Sequence, residues 1–201
     1  MNNEIEVKGL ISDIIKKVRE ILDLNNLAPV ISQTITKEYD IGLRNAETDF
    51  NINFVRNTVR LEFLKNYTFN LIKGMNDDIA ASLRAELSRA IMNNESLTKI
   101  KERVAKVMDI GMVRAATIAR TETSRAQNQG YFDSAKQARM KFKKASAHID
   151  NRTSAICRAL NGKIIPINSK FKYKGNEWML PPFHVNCRTR AIYAETREEL
   201  E

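Results

Sequence analysis

The sequence predicts an α+β protein: a mostly helical amino-terminal part, then a long helix packed on a small carboxy-terminal β-containing module. Three observations carry this expectation. Apolar residues recur every three or four positions through the first half. Residues 112–138 are rich in Ala, Thr and Ser, as suits a helix that approaches a neighbour closely. After Lys144 the pattern changes to short segments, two of them β-branched, separated by Asn161-Gly162, Pro166, Gly175 and Pro181-Pro182.

Taken in order, Ile11, Ile14, Ile15, Val18 and Leu22 form a first helical stripe, and Pro29 punctuates before Ile31, Ile35 and Leu43 begin a second. Ile52, Val55, Val59 and Phe63 form a third, interrupted near Lys73-Gly74. Asn76 or Asp77 caps the next helix, whose Ile79, Leu83, Leu87 and Ile91 share one face, and Asn93-Asn94 ends it. Ser96 caps another, with Leu97, Ile100, Val104 and Val107 inward, and Gly111 suits a left-handed C-cap. Gly130 marks a candidate break in the small-residue helix. All these stripes are expected as core. Strands are expected over 145–149, 163–167 and 188–193. The division expected is a helical arm or subdomain over 1–95 and a second domain over 96–201.

The chain has 201 residues, 43% hydrophobic and 28% charged, which excludes wholesale disorder. No apolar run approaches the roughly 20 residues that span a bilayer, and Met1 to Leu10 lacks the basic start and apolar stretch of a signal peptide. Synthesis in a cytoplasm with no membrane partner is therefore expected. Cys157 and Cys187 alone are too few for a disulfide scaffold. The net charge of +9 is uneven: residues 99–174 hold 18 basic and 5 acidic side chains, against 12 and 14 before them. Such a block suits a polyanion, because clustered cations displace its counterions, and equally suits a solvated face.

Three local patterns follow one another. Ala119-Arg120-Thr121-Glu122 leads to Ala126, Asn128 and Gly130; Asp150-Asn151-Arg152-Thr153 leads to Cys157, Leu160, Asn161 and Gly162; Pro181-Pro182-Phe183-His184-Val185-Asn186-Cys187-Arg188 closes the series. In this order they resemble the phage Mu F-like family, the minor head or head-morphogenesis proteins, over roughly residues 96–193. The resemblance implies a non-enzymatic virion component inside the head at the portal vertex, with the portal protein and capsid or scaffold proteins as partners. It also implies a role in head assembly, DNA packaging or genome delivery.

The polar residues themselves read as structural pins. Glu122 and Arg125 are i, i+3 neighbours on a helix and can pair. That leaves Arg120 to meet Asp150 and Arg152 to meet Glu122, while His148 and Asp150 share a face if their segment is extended. Asn128, Gly162, His184, Cys187 and Arg188 complete the expected structural motif.

Cys157, His184 and Cys187, with His148, are candidate zinc ligands, the H-x-x-C spacing letting two converge from one turn. The family pattern carries C-x-x-C before H-x-N-C-R-C, resembling a zinc knuckle; here Ser154 and Thr189 stand where the first and last cysteines would fall. The alternatives are two reduced thiols and a backbone-bonded histidine in the module core, or a disulfide formed on oxidation. Lys136, Arg139, Lys141, Lys143 and Lys144 are candidate contacts to double-stranded DNA without sequence preference. A metal-dependent enzyme acting on nucleic acid is the alternative function, though H-E-x-x-H, G-x-x-x-x-G-K-[ST] and G-x-S-x-G are all missing.

Overall fold

The computed structural model describes Lys16, Glu20, residues 23–93 and residues 95–201. The stripe from Ile11 to Leu22 and the segment Met1 to Leu10 lie outside the described residues, as do Asn94 and the side chains of Ile91 and Leu97. Three long helices come first: α1 Leu24–Phe50, α2 Thr58–Met92 and α3 Leu97–Gln137. The small module follows with β1 Phe142–Ser146, α4 Ala155–Leu160, β2 Ile164–Pro166, β3 Phe171–Tyr173, β4 Asn176–Trp178 and β5 Arg190–Ala194, and a 3-10 turn at Glu198–Leu200 ends the chain. The α+β class is as the sequence predicts. Among the described residues no helix is long and apolar enough to cross a membrane.

The chain forms two compact units, one of residues 68–116 with those up to 31, the other of residues 32–67 with 117–201. In the first unit Leu87, Ala90 and Ile100 make a buried cluster flanked by Val104, and Ile79 and Leu83 are buried as their spacing predicts. Arg103 ties this unit by paired hydrogen bonds to Glu95 at 2.7 and 2.6 Å and by a further bond to Glu86. Ser96 caps α3, its hydroxyl accepting from the Lys99 amide at 3.5 Å.

Several punctuation marks of the sequence prove to be interior residues. Pro29 lies inside α1, near enough to its start that the missing N–H removes one early hydrogen bond. Gly74, Asn76 and Asp77 lie inside α2, so no helix begins there. Gly111 is not a C-cap: it is buried within α3, and a Cβ there would sit 2.7 Å from Ile79 Cδ1. Gly130 does not break α3; a Cβ would lie 2.1 Å from the Tyr39 carbonyl oxygen, and one on Gly42 would lie 2.0 Å from that of Gln127. Glycine is required at both because α1 and α3 touch backbone to backbone, the close approach that the small residues foretell.

The third stripe is a correction. α2 begins at Thr58, with the Asn57 side chain accepting from the Arg60 amide at 3.0 Å, and its core contacts come from Leu61 and Leu64. Val55 precedes the helix and is 77% exposed, and Val59 and Phe63, 80% and 57% exposed, lie on its opposite face.

In the second unit the sheet has the order β2-β1-β5, antiparallel throughout, with Lys144 opposite Ile164 on one side and Ile192 on the other. β3 and β4 form a separate hairpin around Lys174 and Gly175, both at positive φ; neither this hairpin nor α4 is foreseen from the sequence. Phe132 and Ala135 of α3 pack on Ile167, Ala191 and Tyr193, which seats the helix on the sheet. A second cluster lies within the module: Ala145, Cys157, Leu160, Phe171, Phe183 and Cys187.

Candidate metal centre

The polar residues of the motif are consumed by packing, in pairs that differ partly from those expected. Glu122 is 3% exposed and pairs with Arg125 at 2.8 Å, as the i, i+3 spacing predicts, and the Arg125 guanidinium lies 5.4 Å over the Tyr67 ring. Arg152 does not reach Glu122, and Arg120, exposed on α3, does not reach Asp150. Asp150 is taken instead by Arg188, whose two terminal nitrogens donate to its two oxygens at 2.8 and 2.6 Å.

The reason is local. Residues 147–153 are not extended: β1 stops at Ser146, and Asp150 closes a turn by accepting from the Arg152 amide at 2.9 Å and the Thr153 hydroxyl at 3.1 Å. The Arg188 hydrogen bonds, joined by these two, hold the Asp150 carboxyl well below the usual carboxylate range. His148 stays at the surface, 3.7 Å from Asp150. Arg158 donates to the Asp150 and Thr153 carbonyls, which locks the turn onto α4.

Asn128 is a second pin. Its carbonyl oxygen accepts from the Ala191 amide at 2.9 Å, and its amide donates to the Ser124 carbonyl at 2.9 Å and the Thr189 carbonyl at 3.4 Å. Thr121 holds the loop before β5 by accepting from the Asn186 amide at 3.0 Å. Gly162, at φ +78°, turns the chain from α4 into β2. Tyr39 and the buried Asp133 make a further pair at 2.6 Å that no sequence pattern signals.

Against these pins lies the group Cys157, His184 and Cys187, whose ligand atoms all fall within 4.8 Å of one another. Cys157 comes from α4, capped by Ser154, while His184 and Cys187 come from the loop after Pro182. Cys157 Sγ is 3.0 Å from His184 Nε2 and 3.5 Å from Cys187 Sγ. His184 Nδ1 donates to the Val185 carbonyl at 2.7 Å, which leaves the Nε2 lone pair facing Cys157.

The two thiols share a hydrogen bond, so their acidities split: that bond pulls one, Cys187, down, while the same bond and burial push Cys157 up. Ser154 Oγ lies 2.8 Å from His184 Nε2, and Thr189 Oγ1 donates to Cys157 Sγ at 3.1 Å. Both hydroxyls therefore occupy the site itself, which their positions in the motif could have signalled.

Two thiols and an imidazole whose Nε2 faces them are zinc donors. Tetrahedral zinc separates sulfur from sulfur by about 3.8 Å and sulfur from nitrogen by about 3.6 Å, from its usual bond lengths. The observed 3.5 and 3.0 Å need only a few tenths of an ångström of spreading, so three corners fit. His148 is 70% exposed, lies 3.7 Å from Asp150, and is not among the ligand atoms gathered within 4.8 Å of one another.

The basic candidates divide. Lys136, Arg139 and Lys141 are exposed, Lys141 beside Glu195 at 3.2 Å, and Lys144 donates to the Leu200 carbonyl. Lys143 is no surface contact: it is fully buried and donates to the Met179 carbonyl at 2.7 Å. Its ammonium lies 5.4 Å from the centre of Phe132 and 5.5 Å from that of Phe171. Strand alternation puts Lys143 on the inward face with Ala145.

Residues 81–192 match the family model described as phage Mu protein F like protein. The chain is 32% identical over 126 residues to the minor head protein GP7 of Bacillus phage SPP1. That match covers 58% of this chain and 41% of the relative, so the chain spans well under half of the relative's length. No solved structure matches the chain. With more than half of its length matched, and with the motif residues joined as pins between one helix and one small module, the chain belongs to the phage Mu protein F-like family.

Proposed function

We propose that the chain is a minor head protein of a tailed phage or prophage, carried inside the head at the portal vertex, where it assists head assembly, DNA packaging or genome delivery. The carrying observation is that both carboxylates of the motif are taken up by arginines: Asp150 by Arg188, Glu122 by Arg125. The cavity beside them is about 20 Å³, which admits a water and no substrate. Family membership and the relative's designation as a minor head protein support the same reading.

The portal ring and capsid or scaffold proteins are the partners. Double-stranded DNA is held through phosphates by the exposed Lys136, Arg139 and Lys141, and Lys144 stands beside them. Zinc is held by Cys157, His184 and Cys187 as a structural clamp that joins α4 to the loop before β5.

Co-assembly of the full chain with a purified portal ring tests the proposal. Co-sedimentation at a fixed stoichiometry is expected. Failure to bind, together with magnesium-dependent cleavage of DNA, overturns it in favour of a nucleic-acid enzyme.

A further inference from the structure

Three protein donors leave one corner of a zinc tetrahedron unfilled. The side chains nearest that corner are poor candidates for it. Ser154 and Thr189 carry neutral hydroxyls, and both are engaged: Ser154 accepts from the Cys157 amide at 3.4 Å and faces His184, and Thr189 donates to Cys157. The nearest carboxylate, Asp150, has both oxygens held by Arg188.

What adjoins the triad at that point is space. A cavity of about 20 Å³ is lined by Ser154, Cys157, His184 and Thr189, with Arg152 and Arg188 among its wall residues; His148 also lines it but stands outside the group of ligand atoms that lie within 4.8 Å of one another. A single water needs roughly 10–15 Å³, so one fits and little else does. Cys187 is buried and lies off the cavity, on the protein side of the group.

We infer that this is an open metal site: a metal held by Cys157, His184 and Cys187 takes its fourth ligand from solvent, a water or a small anion favoured by Arg152. The inference rests on the metal reading above and goes beyond it, because a closed structural site has four protein ligands whereas three plus a solvent ligand leaves an exchangeable position. Ser154 and Thr189 then act as the hydroxyl walls of that position, not as ligands. In this arrangement a thiolate-rich clamp becomes a site that can bind a small donor reversibly.

Cobalt(II) replacing zinc in the full-length chain reads this directly. One equivalent is expected to bind, with EPR lines broadened in water enriched in oxygen-17 and visible bands that shift saturably with azide. Ser154→Cys supplies a third thiolate: the sulfur-to-cobalt band should gain intensity, the water broadening and azide shift should vanish, and metal affinity should rise roughly tenfold or more. Thr189→Cys serves as a second variant should the loss of the Ser154 cap impair folding. Bound cobalt that shows neither water broadening nor an azide response overturns the open site alone. Failure to bind either metal overturns the zinc reading and the open site with it.

Discussion

Replacing Gly130 with alanine tests the contact that joins α1 to α3. The added methyl would stand 2.1 Å from the Tyr39 carbonyl oxygen and 3.1 Å from its carbon. Carbon and oxygen ordinarily approach no closer than about 3.3 Å, so the helices must part by somewhat more than an ångström. The obstacle is backbone and cannot rotate aside. Parting also stretches the 2.6 Å bond from the Tyr39 hydroxyl to Asp133.

Overpacking of this kind costs ~1–3 kcal/mol, and about 1 kcal/mol is recovered because alanine suits a helix better than glycine. A net loss of up to ~2 kcal/mol corresponds to a fall in Tm of up to roughly 8 °C for a chain of this size. Gly74→Ala is the control, since Gly74 lies exposed inside α2 with nothing within 4 Å of its added methyl. It should raise Tm by a few degrees through helix propensity alone. Both shifts are read by thermal unfolding followed at 222 nm. A Gly130→Ala protein as stable as Gly74→Ala would refute the backbone contact.

Removal of the Glu122 carboxylate, in Glu122→Ala, strips Arg125 of its partner and should cost ~2 kcal/mol, seen as a clearly lower Tm; an unchanged Tm would end its role as a pin. Lys143 gives a pH signature: burial lowers its pKa from 10.5 to about 8, with Lys136 adding to the effect. Because the folded pKa is the lower one, the unfolded chain binds the proton more tightly between these values. Stability should therefore rise between about pH 8 and 10.5, by on the order of 3 kcal/mol, and Lys143→Met should flatten the rise in urea midpoints. Alanine at Lys136, Arg139 and Lys141 together should weaken duplex DNA binding and reduce the slope of log K against log salt by up to about 2.7, measured by fluorescence anisotropy. Lys143→Ala should leave that slope unchanged.

The sequence carried the class of the fold because helical and strand periodicities are local, and the module boundary near Lys144 follows from them. What it misassigned depends on partners. Gly111 and Gly130 look like punctuation until a second helix is set against them; the buried run Ala126, Gly130, Ser134 and the matching Gly42 and Ala46 were the available signal. The stripe Val55, Val59, Phe63 is truly helical beyond Thr58, but Leu61 and Leu64 offer the opposite face, and propensity does not choose between them. Lys143 was grouped with its charged neighbours, although its alternation with Ala145 pointed inward.

At the site, His184 and Cys187 converge as their H-x-x-C spacing suggests, whereas Cys157 reaches them, with Ser154 and Thr189 alongside, only through the fold. The Glu122–Arg125 pair follows from helical spacing, but the partner of Asp150 could not be read, because it depends on a turn at 150–153 that ends any strand geometry.

Asn128 has a wider effect than fastening one strand. β5 is a border strand of a three-stranded sheet, and such borders are templates onto which a foreign strand can add. The side-chain amide of Asn128 answers an N–H at Ala191 and a carbonyl at Thr189, as a neighbouring backbone would, and so shields part of that border from within. A crowded population of such chains is thereby guarded against zippering edge to edge, and Asn128→Leu should convert a discrete particle into one that aggregates as its concentration rises.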